Sequence, residues 1–235
     1  MSASRRLRVL AELSRDGPDG ITTRRLCEVS RSITGMTGAG IMLLADDQPL
    51  GSLCTTGEVS GLIEELQFSL GEGPCIDAHR LGRPVLEPDL ADPVEPRWIA
   101  FTESAVDAGA RAVFGFPLRF GSVRVGALNL FRDERGPLTD DQHTDALVVA
   151  DVVAHAVVAM QSGAAPEALG DELEAAIDLH AVVHQAAGMV SVQLDVPIRD
   201  ALGRLRAHAF SIGRTLTDVA TDVVARRLRL DPAGR

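Results

Sequence analysis

Lysine is missing from this 235-residue chain, whose 23 basic residues are all arginine. That absence removes whole classes of chemistry. A Walker-type phosphate loop needs a lysine to reach the phosphates, and a Schiff-base enzyme needs a lysine amine. Tyrosine is missing too, and aromatics make up only 3% of the residues, which leaves no aromatic platform for stacking bases. Three cysteines occur, Cys27, Cys54 and Cys75, far apart and without a CxxC pair. That pattern supplies neither a zinc site nor a disulfide framework, so reduced thiols are expected. His180 and His184 lie four apart, but no third ligand is spaced to join them, and a solvated or dimer-facing pair is expected. Serine-nucleophile and paired-acid signatures are also lacking. No catalytic residue, metal or cofactor is expected, and the chain does not read as an enzyme. The opening stretch MSASRRLRVLAEL lacks the apolar core of a signal peptide, and no run approaches the ~20 apolar residues of a membrane span. A soluble, cytoplasmic protein with no membrane partner is expected.

Charge is unevenly shared. Against 33 acidic residues in all, the part from Asp171 onward holds 8 basic and 9 acidic residues, leaving 15 and 24 before it. An acidic front part and a near-neutral tail suggest two domains. Within the tail, His184 to Leu230 carries seven Arg against four Asp. The bias is mild, yet the acidic front repels phosphates, so any nucleic acid should meet the tail.

The tail reads as three amphipathic helices. Leu179, Val183, Ala186 and Val190 step by helical intervals, as do Ile198, Leu202, Leu205 and Ala209, and then Leu216, Val219, Val223 and Leu228. Asp195 with Pro197 opens the second helix, Gly213 closes it, and Thr215 with Asp218 forms a capping box for the third. Gly188 inside the first helix costs about 1 kcal/mol relative to Ala. Either close packing against the next helix or close approach of an RNA loop offsets that cost. Arg199 and Arg206 are seven apart and project from one side of the second helix, with Arg214 at the turn that follows.

The front part begins with two helices, 4–15 and 21–33, around a Gly17-Pro18-Asp19-Gly20 turn, and their Arg-rich faces are expected in solvent. Strands 40–45 and 50–56 flank a turn at 46–49, and a helix follows near 59–67. Next come a glycine-rich turn, Leu70 to Ala78, with Pro74 in the first turn of a helix, a short strand at 83–90 and a helix near 97–108. Strands 111–120 and 123–131 join through Gly121-Ser122. A long helix starts at the Thr139/Gln142 capping box and carries the stripe Ala146, Val149, Val153, Val157 and Met160.

Two resemblances follow from these residues. The Gln185-Ala186-Ala187-Gly188-Met189 element, Ala201, Leu205-Arg206-x-x-Ala209, Arg214-x-Leu216 and Asp218-Val219-Ala220 resemble the ANTAR family of RNA-binding antitermination domains, with Ala187 where many members place a basic residue. Gly71-Glu72-Gly73-Pro74-Cys75, Gly82-Arg83-Pro84-Val85, Asp89-Leu90, Arg97-Trp98, Phe116-Pro117-Leu118 and Gly126 to Leu130 are similar to GAF domains. The resemblance implies an α+β GAF sensor domain over 1–160, its antiparallel sheet flanked by helices. A linker at 161–170 and an all-α three-helix ANTAR domain over 171–235 complete the chain. It implies a homodimer that binds tandem RNA hairpins in nascent transcripts, with Gln185, Ala186, Gly188, Met189, Arg199, Arg206 and Arg214 as RNA contacts. The sensor would answer an unidentified small molecule or partner sensor protein. Its cyclic-nucleotide motif and the phospho-receiver site both need a lysine and cannot be built here. The long-helix stripe is expected to set dimer geometry. Two other readings stay open: a DNA-binding helix-turn-helix using 215–228, and a redox sensor using Cys75, whose place at a helix N-terminus would lower its pKa.

Overall fold

The computed structural model describes residues 2–15, 22–45, 47–162 and 180–230. The turn at 17–20 and the expected linker at 161–170 lie wholly or mostly outside them, as do residues 171–179 and Asp46 of the first hairpin turn.

Helices α1 (Ser2–Leu13) and α2 (Thr23–Thr34) come first. Thr22 caps α2 by accepting from the Arg25 amide at 3.2 Å, and Gly35 ends it at φ +66°, where glycine carries no Cβ penalty. The Arg-rich face of α1 is not left to solvent. Arg5 bridges Asp141 and Asp145 at 2.5 Å each, Arg8 reaches Asp145 at 2.7 Å, and Arg6 pairs with Asp151. Three of its arginines are therefore tied to helix α6 (Asp140–Gln161).

Strands β1 (Gly38–Ala45), β2 (Gln48–Thr55), β3 (Val85–Glu87), β4 (Ala112–Phe120) and β5 (Val123–Arg132) form one antiparallel sheet in the order β2-β1-β5-β4-β3. Alternation along β1 sends Ala39, Ile41 and Leu43 to a core shared with α1, α2 and α6. Helices α3 (Glu58–Leu70), α4 (Pro74–Leu81) and α5 (Ile99–Asp107) accompany the other face. There Gly40, Asn129 and Gly115 pair in register across β1, β5 and β4. A Cβ on Gly40 would lie 2.7 Å from the Glu64 carboxyl, and one on Gly115 2.3 Å from the Pro74 carbonyl. These two glycines let α3 and the start of α4 approach the sheet more closely than side chains allow.

The Thr139/Gln142 capping box forms at the start of α6, with bonds of 3.2 and 3.1 Å. Its stripe is spent inside the chain: Ala146, Val149, Val153, Val157 and Met160 are all at most 4% exposed, in the core with β4, β5 and the N-terminal helices. A stripe buried in its own core has no surface left with which to set dimer geometry, which corrects that expectation. Among the described residues α6 alone is long and apolar enough to cross a membrane by length and composition.

The thiols differ from expectation as well. Cys27 and Cys54 form a disulfide, their Cα atoms 6.1 Å apart, where α2 lies over β2. That separation is within the reach of a disulfide and invisible in a sequence spacing of 27.

Candidate nucleic-acid interface

The tail forms three helices, α7 (Ala181–Leu194), α8 (Ile198–Ser211) and α9 (Leu216–Val224). Asp195 closes α7 at φ +52°, Pro197 caps α8, Gly213 follows α8 at φ +64°, and Thr215 caps α9 through the Asp218 amide at 3.1 Å. Val183, Ala186, Ala187, Val190, Leu202, Leu205, Val219 and Val223 make the core between the three helices. Ala186 is fully buried and Ala187 with it, so neither presents a side chain to a ligand.

The chain beyond α9 makes a wall. Arg226 adopts φ +58°, a left-handed conformation that costs on the order of 1 kcal/mol for a non-glycine residue. The bend turns the following residues back toward α7, where the Gln193 amide donates to the Leu230 carbonyl. Between this wall and α7 runs a groove of about 760 Å³. Gly188, Met189, Val192, Val223 and Leu228 line it, with Gln185, Gln193, Arg226 and Arg229 supplying polar groups. Among the described residues, a Cβ added to Gly188 would meet nothing within 4 Å. Close helix packing therefore does not explain this glycine.

The expected contact residues separate. Gln185, Gly188 and Met189 share the groove. Arg199 is exposed beside Asp200 at 3.8 Å. Arg214 is paired with Asp222 at 2.8 Å, and Arg227 holds the same carboxylate, so two arginines keep Asp222 below the usual carboxylate range. Arg206 does not stand open beside Arg199. It is largely buried, and burial pulls its pKa down to about 10. Its Nη2 donates to the Phe68 carbonyl at 2.9 Å, near the C-terminal end of α3. Sequence reasoning missed Arg226 and Arg229. Their clustering after the last helix was visible, but the backward turn that brings them to Gly188 was not.

Compared with known families, residues 21–161 match the model of the GAF domain. The chain belongs to the GAF domain family. The matched segment ends before the three tail helices. Similar solved structures include the GAF domain of an Acinetobacter phosphoenolpyruvate-protein phosphotransferase (11% identity, 70% of this chain and 98% of that one, TM-score 0.51). The corresponding domain from Coxiella burnetii matches at 13% identity, 70% and 97% coverage and TM-score 0.49. A domain of a two-component sensor histidine kinase protein from Sinorhizobium meliloti matches at 17%, 59% and 90%, and 0.45. Comparison with the curated proteins found no match.

Within the GAF domain the glycine-rich element acts as a junction. Gly71 ends α3 at φ +69°, and its missing side chain makes room for Arg206, whose Nη1 would lie 2.8 Å from a Cβ there. Glu72 accepts from the Ala100 and Phe101 amides at 2.9 Å each and so caps α5 from a distance. Gln67 accepts from the Cys75 amide at 2.7 Å and does the same for α4. The Cys75 thiol is fully buried, and burial, with Glu64 nearby, pushes its pKa well up, opposite to the lowering expected from the helix N-terminus. His180 and His184 are neither solvated nor free for a dimer. The His180 ring stacks on Phe68 at 3.8 Å, and His184 Nε2 donates to the Leu50 carbonyl at 3.0 Å. Phe68 thus holds the tail twice, through its ring and its carbonyl.

Proposed function

We propose that the GAF domain serves a signal-responsive, cytoplasmic RNA-binding regulator, an antitermination protein rather than an enzyme. Its ANTAR-type tail holds looped RNA in the α7 groove. The observation that carries this reading is the open space above Gly188, on the floor of a groove with two arginines and two glutamines. A mid-helix glycine on a groove floor leaves room for a ligand to come close to the backbone. Splayed nucleotides suit the rest: apolar floor for base faces, amides for base edges, and guanidinium groups that pair with phosphate or stack on bases. Two such tails in a homodimer would engage tandem hairpins, each raising the effective concentration of the other.

A recognition helix in duplex DNA is less well supported, because Asp222 of α9 neutralises Arg214 and Arg227 beside it. The test is direct. The full chain is titrated with a tandem stem-loop RNA, a single stem-loop and a DNA duplex of matching sequence, while sedimentation reports its oligomeric state. Tightest binding to the tandem RNA by a dimer is expected. Preference for the duplex would overturn the reading in favour of the helix-turn-helix.

A further inference from the structure

The tail is docked on the GAF domain, and Phe68 is the centre of the contact. Its ring stacks on His180, and its carbonyl accepts from Arg206 Nη2. Beside it, His184 Nε2 donates to the Leu50 carbonyl of the edge strand β2. Phe68, Met42 and Leu44 also join the apolar core of the tail in one cluster. Apolar burial and the ring stack therefore favour the docked arrangement.

The polar part of the dock opposes it. Arg206 is largely buried, yet among the described residues it forms no ion pair. Its one acceptor is the neutral Phe68 carbonyl, and its Nε has no partner. A guanidinium taken out of water needs a charged partner to offset the lost hydration. Arg214, by contrast, has the Asp222 carboxylate. These opposing terms leave the dock poised to open. Phosphate is the partner that the dock denies to Arg206, since arginine pairs with it bidentately. Gly71, at the end of α3, decides whether the contact fits: a Cβ there would lie 2.8 Å from Arg206 Nη1. We propose that the docked tail is a self-inhibited state, in which the GAF domain keeps Arg206 from RNA, and that release of the tail raises RNA affinity. The inference rests on the RNA-binding reading above and adds how that binding is controlled. The groove stays open in either state, so the docked chain binds RNA weakly rather than not at all. Tight binding is scaled down by the fraction of chains released at any moment. A movement at the end of α3 reaches Arg206 directly, through Phe68 and Gly71.

The full wild-type chain, Gly71→Ala and His184→Phe are compared for binding of a tandem stem-loop RNA, with small-angle scattering to report whether the tail has left the GAF domain. Gly71→Ala crowds Arg206, His184→Phe removes the donor to Leu50, and neither changes a residue that lines the groove. Both are expected to enlarge the radius of gyration and to tighten RNA binding at least five-fold, the gain available when about a fifth of wild-type chains are released. Arg206→Ala added to Gly71→Ala is expected to abolish that gain, which a merely loosened structure would keep. Circular dichroism checks folding, and if Gly71→Ala does not fold, Arg206→Ala is added to His184→Phe instead. RNA bound equally by the wild type and the released variants, a gain that survives the loss of Arg206, or no release in either variant overturns the inference and leaves the RNA reading standing. No RNA bound by any form sinks both.

Discussion

Glu64 makes stability fall as pH rises, and Glu64→Gln should remove that fall. In the folded chain its carboxyl is buried against Gly40 of the sheet, and its pKa stands near 8 instead of 4.5, with desolvation the main cause. Among the described residues no cation offsets this: a hydrogen bond from the Asn129 amide counters it in part, and the Cys75 thiol is itself neutral. The folded state therefore holds a proton that the unfolded chain has released above pH 4.5, and where the folded state binds more protons, stability falls with pH. Its contribution is intact below the unfolded pKa. It is then lost at ~1.4 kcal/mol per pH unit, reaching about 3 kcal/mol at pH 7 and levelling off near 5 kcal/mol above pH 8. Glutamine keeps the shape without the proton. Buried amide groups without partners bring their own pH-independent cost of about 1–3 kcal/mol, so the slope is decisive and the offset is not. Urea denaturation of both proteins between pH 5 and 8 measures it. The variant should gain steadily on the wild type as pH rises. A difference that stays constant across that interval would refute a buried, proton-holding Glu64.

Three further outcomes follow from the groove and the disulfide. Gly188→Ala should leave stability unchanged or raise it by up to about 1 kcal/mol, since nothing opposes the new methyl, yet weaken RNA binding several-fold. Thermal melts and filter binding on one preparation check both. Arg226→Ala with Arg229→Ala should weaken RNA binding and reduce the slope of log affinity against log salt by about 1.4, ~0.7 for each lost phosphate contact to single-stranded RNA. Cys27→Ser should destabilise the oxidised protein by about 3.5 kcal/mol, from a loop of 27 residues, more than it destabilises the reduced protein, where only the buried hydroxyl costs; urea curves with and without reductant measure this.

Legibility tracked how local each cause is. The Thr139/Gln142 box, the Gly121 hairpin and Pro74 at the start of α4 are set by neighbours within a few residues, and the structure has each as read. The antiparallel sheet came only through the GAF resemblance, because β1, β4 and β5 are buried on both faces and show no alternation. What failed depended on partners far along the chain. Arg206 was read as exposed from its helical spacing, but a helix face has no label saying which side a second domain will cover. Glu64, flanked by Ile63 and Glu65, reads as a solvated helix residue; only the register of Gly40 with Asn129 reveals that it meets the sheet. The α6 stripe was read correctly as apolar and assigned to the wrong neighbour, because an apolar face fits an intramolecular core and a dimer equally well. The groove was half legible. Its glycine and glutamine stand in a recognisable series, while its arginines arrive through one left-handed residue.

Helix α7 serves both the seam with the GAF domain and the groove, and that sharing has a measurable consequence. His180 and His184 at its start meet the GAF domain, while Gln185, Gly188 and Met189 face the groove. Arg206 on α8 cannot donate to the Phe68 carbonyl and to a phosphate at once. If RNA draws on Arg206, the Phe68 contact opposes RNA binding, and one charged hydrogen bond limits that opposition to about 1.5–3 kcal/mol, roughly ten- to a hundred-fold. Linkage requires RNA in turn to loosen the docked tail by the same factor. Hydrogen exchange at the amides of α3 and α8, with and without the tandem stem-loop RNA, decides the matter: exchange that RNA leaves unchanged would mean that Arg206 stays on Phe68 and takes no part in the groove.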